Sequence, residues 1–477
     1  MDRWRNTSRT IPWLAAFLSF LWPGLGQLYA GRRRQALVFA VPALVVLLIV
    51  LFEARQGLDV LVARFVDPAF AVGALLIILA LGALRIAAVV HAYLTAGGST
   101  LGTPVGGTVR PPRARRNERA ILGILVALIL VTHGAGGALA YMDYSTWSQV
   151  FTPGVTDPSL PLSSDTPPPD VFAGGSQPPT SFLPTVSPTP IPGRITILIT
   201  GEDSFPTRGE HLFDSIQIVS LDEAANKVAI LSIPRDTAAF PLYYGGTVGP
   251  TMKINALVTY IQHGWIKSPD DGMTTLVREV GYLLGIPVDY YAIINLAGFM
   301  KLIDAVGGID IVNPSVIVDP SYDWLNGKHG FVLSAGAHHL DGANALAFVR
   351  SRHGANNNDY MRASRQQQVM VALERKMASP NMIGQLQTVM QTVASSVKSN
   401  FPAGRVADMV ALGDQIPAEN ITSKVLGPPW SDTGIGAKYH TSTSCLRLDK
   451  IAGLSVQLFG SNSRYYGLNQ PDTCPAK

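Results

Sequence analysis

Three long apolar runs set the first constraint on this chain. They cover residues 36–52, 71–94 and 120–142. Crossing the hydrocarbon core of a bilayer takes about 20 mostly apolar residues. The second and third runs meet that length and the first lies at its lower limit. A fourth apolar stretch, residues 11–30, is interrupted by Pro23-Gly24-Leu25-Gly26. Proline and glycine at that depth predict a broken, re-entrant or interfacial segment rather than a full crossing. Glycines so close together also suit tight helix packing. Composition agrees with a chain partly in lipid. Mean hydropathy is +0.23 and only 15% of residues are charged, against about a quarter in soluble domains.

Arginine placement orients these segments. Arg3, Arg5 and Arg9 precede the broken segment, and Arg32, Arg33 and Arg34 follow it. Arg110, Arg113, Arg115, Arg116 and Arg119 precede the last run. The positive-inside rule puts all three clusters in the cytoplasm. That requires the broken segment to enter and leave on one side, followed by three spans. Everything after Met142 then lies outside, at a multi-pass cell membrane. Four full spans would instead place Arg32 to Arg34 outside, or the C-terminal part inside. No short apolar run with a small-residue cleavage site opens the sequence, so a cleavable signal peptide is not expected. Because much of the basic charge flanks apolar runs, the net charge of +4 reads as a topology signal, and no nucleic-acid partner is expected. The only cysteines are Cys445 and Cys474. No Cys/His cluster implies zinc, and on the sequence both a disulfide and two free thiols stay open.

The chain divides into a membrane region (1–142), a linker (143–193) and a C-terminal domain (194–477, core 194–380). The linker carries Pro167-Pro168-Pro169 and Pro188-Thr189-Pro190, a composition that favours extended, solvated chain. From residue 194 the pattern changes. Residues 195–200, 215–221, 227–233, 290–295 and 309–312 read as strands. Residues 255–262, 274–284, 297–305, 342–348 and 361–378 read as helices. Residues 381–416 also look helical. Alternation of this kind predicts an α/β domain whose sheet is covered by helices on both faces.

Charged residues fall at the ends of these elements. Asp203 closes the first strand, and Arg235 and Asp236 follow the third. Strand ends are where sheets of this class gather ligands. Asp214 opens the second strand, so an antiparallel turn would bring it towards Asp203. Two carboxylates there suit a hard divalent cation that bridges phosphates, although either alone is more often a turn residue. Arg350 and Arg352, read as part of an extended segment, face the same way. Paired guanidinium groups match a pyrophosphate. Asp359, Arg362 and Gln366 share one helix face, while Arg365 lies on a neighbouring face and is read as solvated. Few acids remain to neutralise these arginines. His338 and His339 are read as a surface turn.

Together these stretches resemble the LytR–CpsA–Psr family of bacterial cell-wall assembly. The matching segments are Gly201-Glu202-Asp203-Ser204, Ser232-Ile233-Pro234-Arg235-Asp236, Lys253-Ile254-Asn255, Asp304-Ala305-Val306-Gly307-Gly308-Ile309-Asp310 and Leu340-Asp341-Gly342. Val349-Arg350-Ser351-Arg352 and the block from Asp359 through Arg362, Arg365 and Gln366 to Gln368 complete the series in family order. The resemblance implies an α-β-α sandwich with a central mixed sheet, preceded here by an all-α transmembrane region. It implies a phosphotransferase that moves a glycan phosphate from a polyprenyl-pyrophosphate carrier to a peptidoglycan hydroxyl and releases polyprenyl phosphate. By position, Asp203 and Asp214 would hold Mg²⁺ or another divalent cation. Arg235, Lys253, Arg350, Arg352, Arg362 and Gln366 would bind the pyrophosphate, with Arg235, Arg350, Arg352, Asp359 and Arg362 as catalytic groups. Asp359 is a candidate base for the acceptor hydroxyl, or an orienting partner of Arg350 or Arg352.

The sequence departs from the family pattern beside the second strand. Leu212-Phe213-Asp214-Ser215 lacks an arginine found there in the family, and Phe205 stands where another is frequent; Arg208 is a possible substitute. Two alternatives follow: a hydrolase that cleaves the pyrophosphate with water, or a non-catalytic lipid-binding regulator of the envelope. The polyprenyl chain would need an apolar groove, for which Tyr290, Tyr291, Phe299 and Met300 are candidates.

Overall fold

The computed structural model describes residues 10–96, 112–151, 191–203, 212–324, 327–351, 359–377, 389, 392, 396–413, 415–437, 441–468, 470 and 472–475. The chain forms two compact units. One comprises Met1–Ser148 with Ala403–Ala411, the other Gln149–Pro402 with Leu412–Lys477.

The first unit is helical. The interrupted segment is two short helices, α1 (Pro12–Leu21) and α2 (Leu25–Tyr29), joined at Gly24, whose φ of +100° is open to glycine. A side chain at Gly26 would lie 2.0 Å from the Ala15 carbonyl oxygen, so only glycine lets the two helices close. Ser19 accepts from the Gly26 N–H at 3.1 Å and donates to Gln27 Oε1 at 2.9 Å. Gln27 Nε2 in turn donates to the Ala88 carbonyl at 2.8 Å. These buried polar groups are satisfied internally, as a lipid environment demands. The remaining helices are α3 (Arg33–Ala54), α4 (Leu58–Arg64), α5 (Pro68–Ala96) and α6 (Pro112–Val150). Arg33–Ala54, Pro68–Ala96 and Asn117–Ser148 are each long and apolar enough to cross a membrane. Because α6 runs to Val150, the first residues assigned to the linker are helical. Most of that linker lies outside the described residues.

The second unit is built on a six-stranded mixed sheet. Its strands are β1 (Arg194–Asp203), β2 (Leu212–Asp222), β3 (Lys227–Ile233), β4 (Tyr290–Asn295), β9 (Val397–Ser399) and β10 (Ile421–Val425), in the order β10-β3-β2-β1-β4-β9. β2 pairs antiparallel with β1 and β3. β4 runs parallel to β1 and β10 parallel to β3. The C-terminal ends of β1, β3, β4 and β10 therefore share one edge with the start of β2. Three helices, α7 (Leu257–Gln262), α8 (Gly272–Leu284) and the C-terminal Leu448–Phe459, contribute to one core with Leu198, Ile216, Ile218 and Leu231 of the strands. A second core gathers α9 (Leu296–Ala305), α10 (Gly342–Arg350) and α11 (Asp359–Met377). Residues of β5 (Ile309–Asn313), β6 (Ile317–Asp323), β7 (His329–Leu333) and β8 (Gly336–Leu340) join it. Tyr291 and Ile293 pack on the first core and Ile294 on the second, so alternation along β4 assigns the two cores to opposite faces. This is the α-β-α arrangement with a mixed sheet.

Several local readings change. His338 and His339 lie on β8, not in a turn. They remain surface groups: His339 pairs with Asp310 at 2.7 Å and His338 with the Ser334 carbonyl at 2.8 Å. Within residues 381–416 the described part includes edge strand β9 as well as the helix Val406–Gly413. The hairpin β6–β7 was not legible, because its inward residues Ile317, Asp319, Tyr322 and Phe331 mix apolar and charged types. Cys445 and Cys474 form a disulfide with Cα atoms 5.6 Å apart, which closes the alternative left open above.

One carboxyl sits inside the first core. Glu279 of α8 is fully buried and accepts the Tyr243 N–H at 3.0 Å. Burial lifts its pKa well above the ordinary 4.5, and the single backbone hydrogen bond offsets this only in part. Because the folded pKa is raised, its contribution to stability is complete below 4.5 and is lost as pH rises towards the folded value. Glu279→Gln removes that loss. The variant is expected to gain stability over the wild type between about pH 5 and about pH 8, read as a growing difference in thermal unfolding midpoint. A constant difference across that range would mean that Glu279 is ionised in the fold.

Candidate active site

The shared sheet edge collects the charged residues. β1 ends in Asp203, which is 6% exposed although it carries a carboxylate. A bulge at Gly201/Glu202 breaks the β1–β2 register and leaves Asp214 as the extra residue on β2. Bulges of this kind re-aim a side chain next to a site. β3 runs into Pro234 and then Arg235 and Asp236. Lys253 immediately precedes the 3₁₀ turn Ile254–Ala256. From the other face, α10 ends in Arg350.

Two ion-pair groups form there. Arg350 Nη2 lies 2.9 Å from Asp203 Oδ2, joining the end of a helix to the end of a strand. Asp214 pairs with Arg235, whose Nε lies 3.7 Å from Asp236 Oδ2, and Asp236 also pairs with Lys253. The expectation that few acids neutralise the arginines is therefore corrected. The reason is topological: antiparallel pairing brings Asp214 to the edge where Arg235 leaves β3. Among the described residues no group of three or more His, Cys, Asp and Glu side chains could hold a metal ion. A smaller donor set is compatible with Mg²⁺, which commonly takes one or two carboxylates together with substrate phosphates and water. Asp203 and Asp214 supply that number, each beside an arginine that would share the anionic ligand.

The block following α10 differs from its reading as extended chain. Arg350 is the last residue of a helix, held because Asp341 caps its start and the Ser351 N–H still bonds to the Ala347 carbonyl at 2.9 Å. The two-residue spacing argument for Arg350 and Arg352 therefore fails, and Arg352 lies outside the described residues, as does Arg208. Asp359 begins α11, but its side chain also lies outside the described set. Arg362 is 4% exposed, and Gln366 Nε2 reaches the Val349 carbonyl at 3.5 Å. Arg365 is not solvated. It is 5% exposed, donates to the Met361 carbonyl at 3.2 Å and to the Ser351 carbonyl, and lies 5.6 Å from the Phe348 ring centroid. Burial and the neighbouring Arg362 charge push its pKa down to about 10, against the pull of Asp319.

Sequence reading assigned no role to Asp236, Asp319, Ser351 or Gln367. Gln367 ties α11 to the sheet, donating to Ser232 Oγ at 2.7 Å and to the Lys424 carbonyl at 3.0 Å. A run of three glutamines with different partners signals such a role only once the helix has been placed. The candidate lining residues do not share one wall. Tyr291 packs on the first core, while Phe299 and Met300 pack on the second.

Asp236 is shared by two cations and is 6% exposed. Asp236→Ala removes the carboxylate that Lys253 and Arg235 share, while Arg235 keeps its pair with Asp214. It is expected to lower stability by about 1–3 kcal/mol, less than breaking a fully buried pair because Lys253 keeps contact with solvent. Thermal unfolding of the full chain in detergent measures this; an unchanged midpoint would show that the pairs contribute nothing.

Comparison with known proteins identifies the family. Residues 178–446, more than half of the chain, match the LytR_cpsA_psr family model. The polyisoprenyl-teichoic acid–peptidoglycan teichoic acid transferase TagU of Bacillus mycoides is 30% identical over 293 residues, covering 61% of this chain and 80% of TagU. The corresponding transferase TagV of Bacillus subtilis is 30% identical over 261 residues, covering 54% of this chain and 62% of TagV. The crystal structure of B. subtilis TagV is similar with a TM-score of 0.44 and 24% identity, over 56% of this chain and 96% of that one. The chain belongs to the LytR_cpsA_psr family and is an enzyme of the transferase class.

Proposed function

We propose that this chain transfers a glycan phosphate from a polyprenyl-pyrophosphate carrier to a peptidoglycan hydroxyl. The observation that carries this reading is the convergence of Arg235, Lys253 and Arg350 with Asp203 and Asp214 at one sheet edge, from five separate segments. TagU and TagV, by name, transfer teichoic acid between polyisoprenyl-teichoic acid and peptidoglycan, and partners of that kind suit a site built from guanidinium groups and carboxylates.

Phosphoryl transfer needs positioning and charge neutralisation more than covalent help from the protein. The acceptor hydroxyl attacks the glycan-linked phosphorus, forming a new P–O bond. The bond from that phosphorus to the bridging oxygen breaks, and polyprenyl phosphate leaves with that oxygen and its electron pair. The hydroxyl proton passes to a base, for which Asp359 at the start of α11 is the candidate. Arg235 and Arg350 hold the non-bridging oxygens as charge builds on them. Lys253 adds a point charge, and Arg362, Gln366 and Arg352 extend the anion site. A Mg²⁺ ion held by Asp203 and Asp214 would neutralise further charge on the pyrophosphate. Three spans with cytoplasmic arginine clusters would hold this domain outside the cell membrane, where peptidoglycan lies.

The test is turnover by the full chain in detergent, with a synthetic polyprenyl-pyrophosphate glycan and peptidoglycan oligomers. Arg350→Ala is expected to lower kcat by about 100- to 1,000-fold, the cost of removing one charge-stabilising donor. Chelation of divalent cations should abolish transfer, and added Mg²⁺ should restore it. Polyprenyl phosphate release without glycan transfer would replace this reading by a hydrolase. Donor binding without turnover would replace it by a lipid-binding regulator.

A further inference from the structure

The segment that carries Arg350 is gripped from two sides by buried groups outside the charged edge. At Ser351 the chain leaves α10 with ψ of 133°, turning away from the helix axis. Ser351 is fully buried. Its carbonyl accepts from Arg365 Nη2 of α11, and its hydroxyl donates to Asp319 Oδ2 of β6 at 2.8 Å. Asp319 is itself 1% exposed. One residue earlier in the chain from Arg350, the Val349 carbonyl meets Gln366 of the same helix α11. Arg365 also lies over Phe348, the fully buried ring of α10. Two elements, β6 and α11, thus fix the few residues around Arg350. The hairpin β6–β7 supplies Asp319 and also Tyr322, whose pKa is raised by burial against the opposing charge of Arg350, so hairpin and guanidinium are close.

Burying a guanidinium and a carboxylate is costly, and a well-packed apolar cluster would hold an elbow as firmly. Hydrogen bonds to the carbonyl and the hydroxyl do something packing does not: they fix the direction in which the chain emerges from the helix. We propose that Arg365 and Asp319 are positioning residues, a buried bracket on Ser351 that aims the Arg350 guanidinium at the phosphate. This rests on the phosphotransfer reading, since it gives Arg350 a phosphate to meet. Neither residue touches the substrate.

The test is a double-mutant cycle in the full chain in detergent. Arg365→Met, Asp319→Ala and Ser351→Ala are each made alone and on an Arg350→Ala background. Ser351→Ala deletes one hydroxyl and keeps the cycle readable should Arg365→Met fail to fold. Each single variant is expected to lower kcat by about 100-fold, the scale of a misplacement of about 1 Å. On the Arg350→Ala background the same changes should cost less than about twofold, because residues acting through one group are not additive. Asp319→Asn, which keeps an acceptor for the Ser351 hydroxyl, should recover most of the activity lost in Asp319→Ala. Equal losses on both backgrounds would overturn the bracket and leave these residues as ordinary stabilisers. The cycle is repeated with inorganic pyrophosphate affinity as the readout. Should the wild type bind pyrophosphate but transfer nothing, the phosphotransfer reading falls, and the bracket stands or falls on whether its variants weaken binding only when Arg350 is present. A wild type that binds no pyrophosphate overturns the bracket as well.

Discussion

The pairing of Asp203 with Arg350 is the contact on which the site depends. It joins the end of the central strand β1 to the end of α10, and so links the sheet to the core on its far side. A strand end and a helix end are both places where backbone groups run out of regular partners. Placing charged side chains at both lets each satisfy the other while remaining at the edge of the fold. The second group, Asp214 with Arg235, Asp236 and Lys253, follows the same logic across β2 and β3. Both groups hold cations beside carboxylates, so an incoming polyanion and a divalent cation could be accommodated by exchange of partners without burying an uncompensated charge.

The scaffold behind that edge is ordinary hydrophobic packing with a few polar exceptions. Each exception has an identifiable consequence. Glu279 is a carboxyl buried within the first core, and the upward shift that burial gives its pKa makes stability depend on pH. Gln367 replaces an apolar contact between α11 and the sheet by hydrogen bonds to Ser232 and Lys424, which fix the helix in register. Gly342 allows α10 to approach α9, since a side chain there would lie 2.2 Å from the Met300 carbonyl oxygen. That close approach positions the helix whose last residue is Arg350. In the helical unit, Gly24 and Gly26 perform the equivalent task for a segment folded back on itself.

Much of the fold was legible because its strands are continuous apolar runs and its helices carry clear start and stop residues. β3 and β4 were read to the residue, and the three candidate spans were found from length and apolar composition. Legibility failed where pattern and environment disagree. Arg350 reads as extended chain from its two-residue spacing to Arg352, yet it completes a helix whose other face is buried. Arg365 reads as solvated because it lies off the face of Asp359, Arg362 and Gln366, yet it is buried against Phe348 and Ser351. The hairpin β6–β7 escaped because Asp319, an inward residue, interrupts the alternation that marks a strand.

The sequence by itself determined the apolar spans, the strands β1 to β5 with the helices among them, and the inventory of arginines and carboxylates. These depend on local composition and spacing, which need no partner from elsewhere in the chain. Only the tertiary structure decided which acid meets which base, that Cys445 meets Cys474, and that a carboxylate from a distant hairpin holds the elbow beside Arg350. Those contacts join residues far apart in sequence. Their existence depends on strand order and on the faces that helices present, and a linear pattern carries neither.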